Sequence, residues 1–432
     1  MSEREKMAEA EVMPAPEGVA TPEILAQWCK LAELAGHTPP EDPARAWADL
    51  DPKLQRELLQ QFQGRAGRSL DDSRVCSFLA ENIERLRRRG RGEEQPIPMP
   101  WPGLSERLSG GLGIGLHILV GNTGSGKSQL ALQAALHAAL KGVPVMYIGL
   151  ELGELDLTAR LLGLLANVRS QSTMHKWSDL FLGKSVNLHD STSQIDALLE
   201  GNPGLLHELE KIPFHLEFGP PMGWSYKRLS ELGHQMREKY PQNTEHGKVI
   251  RGSRPFLVVL DFLQIVSSDP GNNESLRERI GRASYAARAL ARDHDAAVLL
   301  ISSTARNNYT TLAGQSGDDN KDKRPIWEKP APAAIGLGKE SGEIEYSADT
   351  VMVMAREPWE NDQPPPEGTW TWVSVSKQRA GKPSWGQLLF NGSMFYEPTE
   401  ANLKARKERE RHKKTPSSKT ATTSATAGFD ED

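Results

Sequence analysis

The chain has 432 residues, with 52 Lys+Arg against 57 Asp+Glu, a formal net charge of -5, 38% hydrophobic residues and two cysteines. At roughly 150 residues per domain the length allows about three units, or one large domain with appendages; the acidic balance excludes a uniformly basic nucleic-acid coat, so any DNA contact must be local. Cys29 and Cys76 cannot build a disulfide framework, MSEREKMAEA lacks the apolar core of a signal peptide, and the stretch Leu130 to Leu140 is broken by Gln133 and His137, so a soluble cytoplasmic protein with no membrane contact is expected.

Residues 1–20, rich in Ala, Glu and Pro, read as a disordered leader. Residues 21–92 read as a small all-α domain. Thr21 caps a helix with Pro22 in its first turn and Ile24, Leu25, Trp28 and Leu31 on one face, and helical stretches follow at Pro52 to Phe62 and Asp71 to Arg89. The basic string Arg85, Arg87, Arg88, Arg89, Arg91 is either a solvated helix end complementing the macrodipole or a contact for DNA or a partner. Residues 93–102 (EEQPIPMPWP) read as a proline-rich linker. From 103 to 398 apolar β-like runs alternate with helical stretches, the rhythm of an α/β domain with a largely parallel sheet. Residues 399–432 carry basic residues from Lys404 to Lys414, then Ser and Thr, then Asp430-Glu431-Asp432, and read as a disordered tail.

The strongest signal is Gly121-Asn-Thr-Gly-Ser-Gly-Lys127-Ser128, a full G-x-x-x-x-G-K-[ST] phosphate loop between the apolar run Leu116 to Val120 and a helical stretch. Gly121, Asn122, Thr123, Gly124, Ser125, Gly126, Lys127, Ser128 and the following Gln129 are the expected ATP-binding residues. The glycines let backbone N–H groups approach phosphate, Lys127 reaches the β- and γ-phosphates, and Ser128 ligates Mg²⁺. Glu151 follows the buried-strand run Val143 to Leu150, at the edge where open α/β sheets place ligands. It either orients and deprotonates water or simply starts a helix with Glu154. The run Phe256 to Asp261 ends in an acid suited to holding Mg²⁺ through water.

A series of phrases in order, Tyr147-Ile-Gly-Leu-Glu151-Leu, Val258-Val-Leu-Asp-Phe-Leu-Gln264, Ala297 to Ser303, Glu340 to Asp349 and Ser376-Lys-Gln-Arg-Ala-Gly381, resembles the C-terminal motor domain of bacterial replicative DNA helicases of the DnaB type. The resemblance spans roughly residues 100 to 398. It implies a RecA-like fold, ATP with Mg²⁺, Glu151 as the residue that activates water, Asp261 in the metal site, and Lys377 and Arg379 acting in trans on a neighbour's nucleotide. It further implies a ring, a hexamer in this family, around single-stranded DNA, with a primase or loader as partner. On the residues alone Lys377 and Arg379 are two apart on one strand and point to the same side; a solvent-facing hairpin pair is the alternative.

Channel loops in the resembled family correspond here to Ser267 to Arg279 and Arg306 to Gly338, with Arg306, Lys321, Lys323 and Arg324 as the expected DNA contacts. Both stretches also carry acids, so exposed loops without a ligand are the competing reading. Ser302-Ser303 stand where the family has Gln, residues 21–90 are unlike its usual N-terminal domain, and the segment from about Val168 to Ile212 is longer than the motifs lead one to expect. These departures point to a bacterial plasmid, phage or specialised relative rather than the housekeeping helicase. A RecA-like regulatory ATPase that switches a partner without unwinding DNA is the alternative function.

Overall fold

The computed structural model describes residues 42–50, 75–170, 174–186, 192–219, 224–245, 247–266, 275–304, 324–337, 346–359 and 365–414, together with positions 25, 28, 29, 38, 40 and 55. The chain divides into two compact units, Met1–Arg87 and Arg88–Asp432. In the first, helix α1 spans Pro43–Ala48 and α2 begins at Val75 and runs to Gly90. Asp42 caps α1 by accepting from the Arg45 N–H, and the buried Trp47 meets Trp28 edge-on at 5.5 Å. The leader 1–20 and most of the expected helices from Thr21 and Pro52 lie outside the described residues.

The basic string is largely paired within the chain. Arg87 meets Glu84, and in the second unit Arg89 meets Glu94 and Arg91 meets Glu93, both at 2.5 Å. Arg88 donates to the Arg251 carbonyl. Of the two readings of this string, the geometry favours the helix end.

Residues 93–102 are not a spacer. Prolines 96, 98 and 100 alternate with Ile97, Met99 and Trp101, and in an extended segment alternate side chains share a face, so all three apolar residues turn into the core and are buried. Ile97 bridges Leu112 in both directions, and Trp101 donates through Nε1 to the Phe395 carbonyl at 3.0 Å. The close approach needs Gly111, where a Cβ would lie 2.1 Å from the Ile97 carbonyl oxygen. Proline content signalled a linker because it forbids helix; it equally suits a packed extended strap.

After the strap come α3 (Pro102–Arg107), β1 (Gly115–Gly121), α4 (Lys127–Leu140), β2 (Val145–Gly149) and α5 (Glu154–Arg169). The longer segment then supplies α6 (Trp177–Phe181), α7 (Gln194–Gly201) and α8 (Leu205–Lys211). The chain continues through β3 (Phe214–Phe218), α9 (Tyr226–Lys239), a small ribbon of β4 (Thr244–Glu245) and β5 (Lys248–Val249), β6 (Leu257–Asp261), α10 (Leu276–Asp293) and β7 (Ala297–Ser303). It ends with β8 (Thr350–Arg356), β9 (Thr369–Gln378), β10 (Ser384–Phe390), β11 (Phe395–Tyr396) and α11 (Glu400–Lys414).

Among the described residues nine strands form one sheet, ordered β11-β10-β9-β8-β1-β7-β6-β2-β3. From β8 through β3 all neighbours are parallel, and β8 to β11 are joined antiparallel. This is the α/β fold expected from the sequence, with helices packed on both faces. Every residue of β1 is buried, as a central parallel strand requires. Its alternation sends Leu119 into the layer with α4 and α5, and Leu116, Ile118 and Val120 into the layer with α9 and α10. The chain leaves β1 towards β2 in one direction along the sheet and leaves its neighbour β7 towards β8 in the other; ligands of open α/β sheets sit at such a switch point.

The first part of the tail is ordered, against expectation. α11 lays Arg406 over the rings of Trp370 and Trp372 at 4.6 and 5.1 Å and pairs it with Glu357 at 2.7 Å; Arg409 pairs with Glu367. Composition describes such a run as solvated, but cation–π and ion-pair contacts to β9 and its flanks hold it.

Candidate nucleotide site

The site lies at the carboxyl ends of β1, β6 and β2. The phosphate loop leaves β1 and passes through positive φ at Gly124 and Gly126, 76° and 95°, which only glycine adopts readily. At Gly126 a Cβ would come within 2.8 Å of the Phe395 ring. The backbone then enters α4, whose N-terminal amides and dipole favour an anion.

Lys127 Nζ donates to the Gly121 and Asn122 carbonyls at 2.9 and 2.8 Å, so the ammonium is curled into its own loop. Burial lowers its pKa to about 8, opposed by Asp261 and Glu151. Ser125 Oγ is buried and, among the described residues, has no hydrogen-bond partner, a donor a phosphate oxygen would satisfy.

Asp261 ends β6 fully buried. Its Oδ1 accepts from Ser128 Oγ at 3.1 Å and its Oδ2 from the Tyr147 hydroxyl at 2.8 Å. Burial raises its pKa to about 6, against the pull of those two hydrogen bonds. Ser128 and Asp261 are thus oxygen donors side by side, a sparse set that suits Mg²⁺, which keeps water and substrate phosphates as its other ligands. Tyr147, held on β2 opposite Val259, is a site residue that motif reading left without a role; burial and the neighbouring Asp261 push its own pKa well up, keeping the phenol a donor.

Glu151 is exposed and stands two residues beyond β2. The Asp261 carbonyl accepts from the amides of Leu150 at 2.7 Å and Glu151 at 3.3 Å, fixing this turn against β6. α5 starts only at Glu154, with Gly153 as its N-cap, so the helix-start reading of Glu151 is set aside by the geometry. Glu151, Lys127, Ser128 and Asp261 line one cavity of about 460 Å³. Gln129 lines it too, but its amide is committed, donating to the Ser393 carbonyl at 2.6 Å and accepting from Arg160 at 3.0 Å.

The two opposed pKa shifts set a pH window. Asp261 loses its charge as pH falls through about 6, and Lys127 loses its charge as pH rises through about 8. If both charges are needed to capture a Mg²⁺-triphosphate, kcat/KM for ATP follows a bell with limbs near these values, falling about tenfold one unit beyond each. A flat profile between pH 5 and 9, measured at saturating Mg²⁺, would contradict this assignment.

Lys377 and Arg379 lie elsewhere. β9 ends at Gln378 and is irregular between Val351 and Met352 of its partner, so Ser376 is left out of the register. Lys377 is half-buried on the strand, whereas Arg379 sits in the following turn. The expected pair on one strand is therefore corrected: the strand ends at Gln378, which leaves Lys377 on β9 and puts Arg379 in the turn beyond it. Arg379 is fixed by Asp349, whose carbonyl accepts its amide at 3.0 Å and whose carboxylate meets Nε at 3.2 Å. The same carboxylate accepts from the Leu116 amide at 2.9 Å, which ties Arg379 to the beginning of β1, the strand whose far end carries the phosphate loop.

Gln264, just after β6, reaches β7: its amide donates to Ser302 Oγ at 2.7 Å and accepts from the Ser303 N–H at 3.2 Å. Ser303 lines the cavity. Of the expected DNA contacts, Arg324 is exposed, while Arg306, Lys321 and Lys323 lie outside the described residues, as do residues 267–274. Among the described residues no helix is long and apolar enough to cross a membrane.

Residues 243–396 match the family model of the DnaB-like helicase C terminal domain, and residues 102–308 match an AAA domain model. The chain is 24% identical over 341 residues to the replicative DNA helicase DnaB of Geobacillus stearothermophilus, covering 77% of this chain and 62% of that one. It is 27% identical over 304 residues to the replicative DNA helicase DnaB of Leifsonia xyli subsp. xyli, covering 70% and 55%. The chain thus spans about three fifths of the length of these relatives. Among solved structures it is similar to the ATPase domain of G40P, with TM-score 0.56, 18% identity, and 76% of this chain and 100% of that one covered. A DnaB-like replicative helicase, described with its interactions with primase, also gives TM-score 0.56, at 17% identity over 87% and 75% of the two chains. At these identities the structural likeness establishes the RecA-like ATPase fold.

Proposed function

Taking residues 102–396 as a DnaB-like ATPase domain, we propose that the protein is an ATP-driven translocase of the DnaB type, acting as a ring on single-stranded DNA with ATP sites between subunits. The observation that carries this reading is the position of Arg379. It is anchored by Asp349 at the start of β1, whereas the phosphate loop leaves the end of that strand. Five or so residues at about 3.3 Å each separate them by about 15–20 Å, beyond the reach of an arginine side chain. A guanidinium placed there does not reach its own chain's triphosphate, which supports a role at a neighbour's.

In this reading the phosphate loop and Lys127 hold the β- and γ-phosphates, and Ser128 and Asp261 would hold Mg²⁺, which would supply charge neutralisation at the phosphate oxygens. Tyr147 holds the Asp261 carboxylate in place. Glu151, at the cavity wall, accepts a proton from the attacking water. Arg379, with Lys377, stabilises the transition-state charge across the interface. The family resemblance supports a hexamer, a primase or loader as partner, and Arg306, Lys321, Lys323 and Arg324 as channel contacts. The setting in this reading is the bacterial cytoplasm, with the protein encoded by a plasmid or phage.

Strand displacement on a forked duplex, with ATPase followed in parallel, tests the proposal. Wild type is expected to unwind the fork and to hydrolyse ATP faster when single-stranded DNA is present, and Lys127→Ala to do neither. The alternative of a regulatory ATPase is favoured by one observation: Ser303 occupies the cavity position where the resembled family has Gln, and the Gln264 amide is engaged by Ser302 and Ser303. ATPase activity unaffected by any single strand, with no displacement, would decide for that alternative.

A further inference from the structure

The segment beyond α5, longer than the resembled motifs led one to expect, reaches back into the nucleotide cavity. It is fastened from two sides. The Asn167 side chain donates to the His175 carbonyl at 2.9 Å and accepts from the His175 N–H at 2.7 Å, and Ser393 Oγ, on the turn between β10 and β11, donates to the same carbonyl at 2.9 Å. Two residues later the short helix α6 opens with Trp177, whose half-buried ring lines the cavity together with the phosphate loop.

Trp177 is stacked against Arg160. The guanidinium carbon lies 3.7 Å from the indole centroid, and the arginine itself is immobilised by the Asp156 carboxylate at 2.5 Å and the Gln129 amide at 3.0 Å. The pair forms a flat, fixed π surface in a cavity otherwise furnished for phosphates and a metal. Successive residues of an α-helix point about 100° apart, so Ser128 faces Asp261 while Gln129 turns to Arg160. α4 therefore separates a metal side from an aromatic side.

We propose that Trp177, backed by Arg160, is the nucleobase platform of this site, and that it selects purine over pyrimidine triphosphates by stacking. The inference rests on the reading of the cavity as an ATP site and adds its base specificity. A flat indole–guanidinium surface gains most from the larger ring system, because base–aromatic stacking follows the overlapped π-face and tolerates different base edges. Among the described lining residues Gln129 carries the side-chain amide, and its nitrogen on Ser393 and oxygen on Arg160 limit its freedom to turn to a base edge, so no adenine–guanine reader is placed among the described residues. ATP and GTP are expected to bind alike and CTP more weakly.

The test is equilibrium binding of ATP, GTP, CTP and inorganic tripolyphosphate, each with Mg²⁺, to the full chain and to Trp177→Ala and Trp177→Phe. Wild type should hold ATP about tenfold more tightly than CTP. Trp177→Ala should lose about tenfold in ATP affinity and most of the difference from CTP, tripolyphosphate affinity staying the same, which also reports an intact phosphate loop; Trp177→Phe should retain most of the preference. Unchanged ATP and CTP affinities in Trp177→Ala, with tripolyphosphate still bound, overturn the platform and leave the phosphate site standing. Wild type that binds neither ATP nor tripolyphosphate overturns both.

Discussion

Arg379→Ala is expected to lower ATP turnover by about three to five orders of magnitude while leaving ATP affinity within a few-fold of wild type, the size of effect that a guanidinium delivered across an interface has on phosphoryl transfer. The geometry gives the reason for the split. Arg379 is bound to Asp349 at the beginning of β1, remote from the cavity that its own chain offers a triphosphate, so its removal leaves Lys127, Ser128 and Asp261 undisturbed. Loss of binding comparable to the loss of turnover would show instead that Arg379 supports its own subunit's fold.

Glu151→Gln is expected to reduce turnover by about 10²- to 10⁴-fold, the usual contribution of a positioned general base, again with ATP still bound. The amide keeps the shape and hydrogen-bonding reach of the carboxylate but cannot take a proton. Removing this charge also relieves repulsion on Asp261, whose raised pKa Glu151 helps to maintain, so the acidic limb of the pH profile should move down. Combining the two variants separates cis from trans action. In a mixture of Arg379→Ala and Glu151→Gln chains, interfaces that pair an intact Glu151 with a neighbour's intact Arg379 should recover activity that neither variant has alone. A mixture as inactive as its components would rule out the shared site.

The placement of the glycine-rich loop, Asp261 and Glu151 at one sheet edge was legible in the sequence because each is a local arrangement. A loop that cradles phosphate needs its glycines, lysine and serine contiguous between a strand and a helix, and an acid placed just after an apolar run marks the carboxyl edge of a parallel sheet. The alternation of β-like and helical runs likewise announced the α/β class. Residues 93–102 and Glu400–Lys414 were misread for a common cause: proline content and charge describe what a segment cannot do alone, not what a distant surface does for it. The strap is held by Leu112 and Phe395, and α11 by Trp370, Trp372 and Glu357.

The sequence by itself determined which chemical groups this protein carries, a glycine-rich loop with its lysine and serine, an acid at a strand end and a second carboxylate, since those groups are specified by short-range spacing. Tertiary structure decided how they are deployed. It buried Asp261 beneath Tyr147 and Ser128, turned Arg379 away from its own loop, and brought Trp177 to Arg160 across a segment with no motif of its own. Each of these depends on contacts between residues far apart in the chain, and only the packing of the sheet and its helices fixes which residues those contacts join.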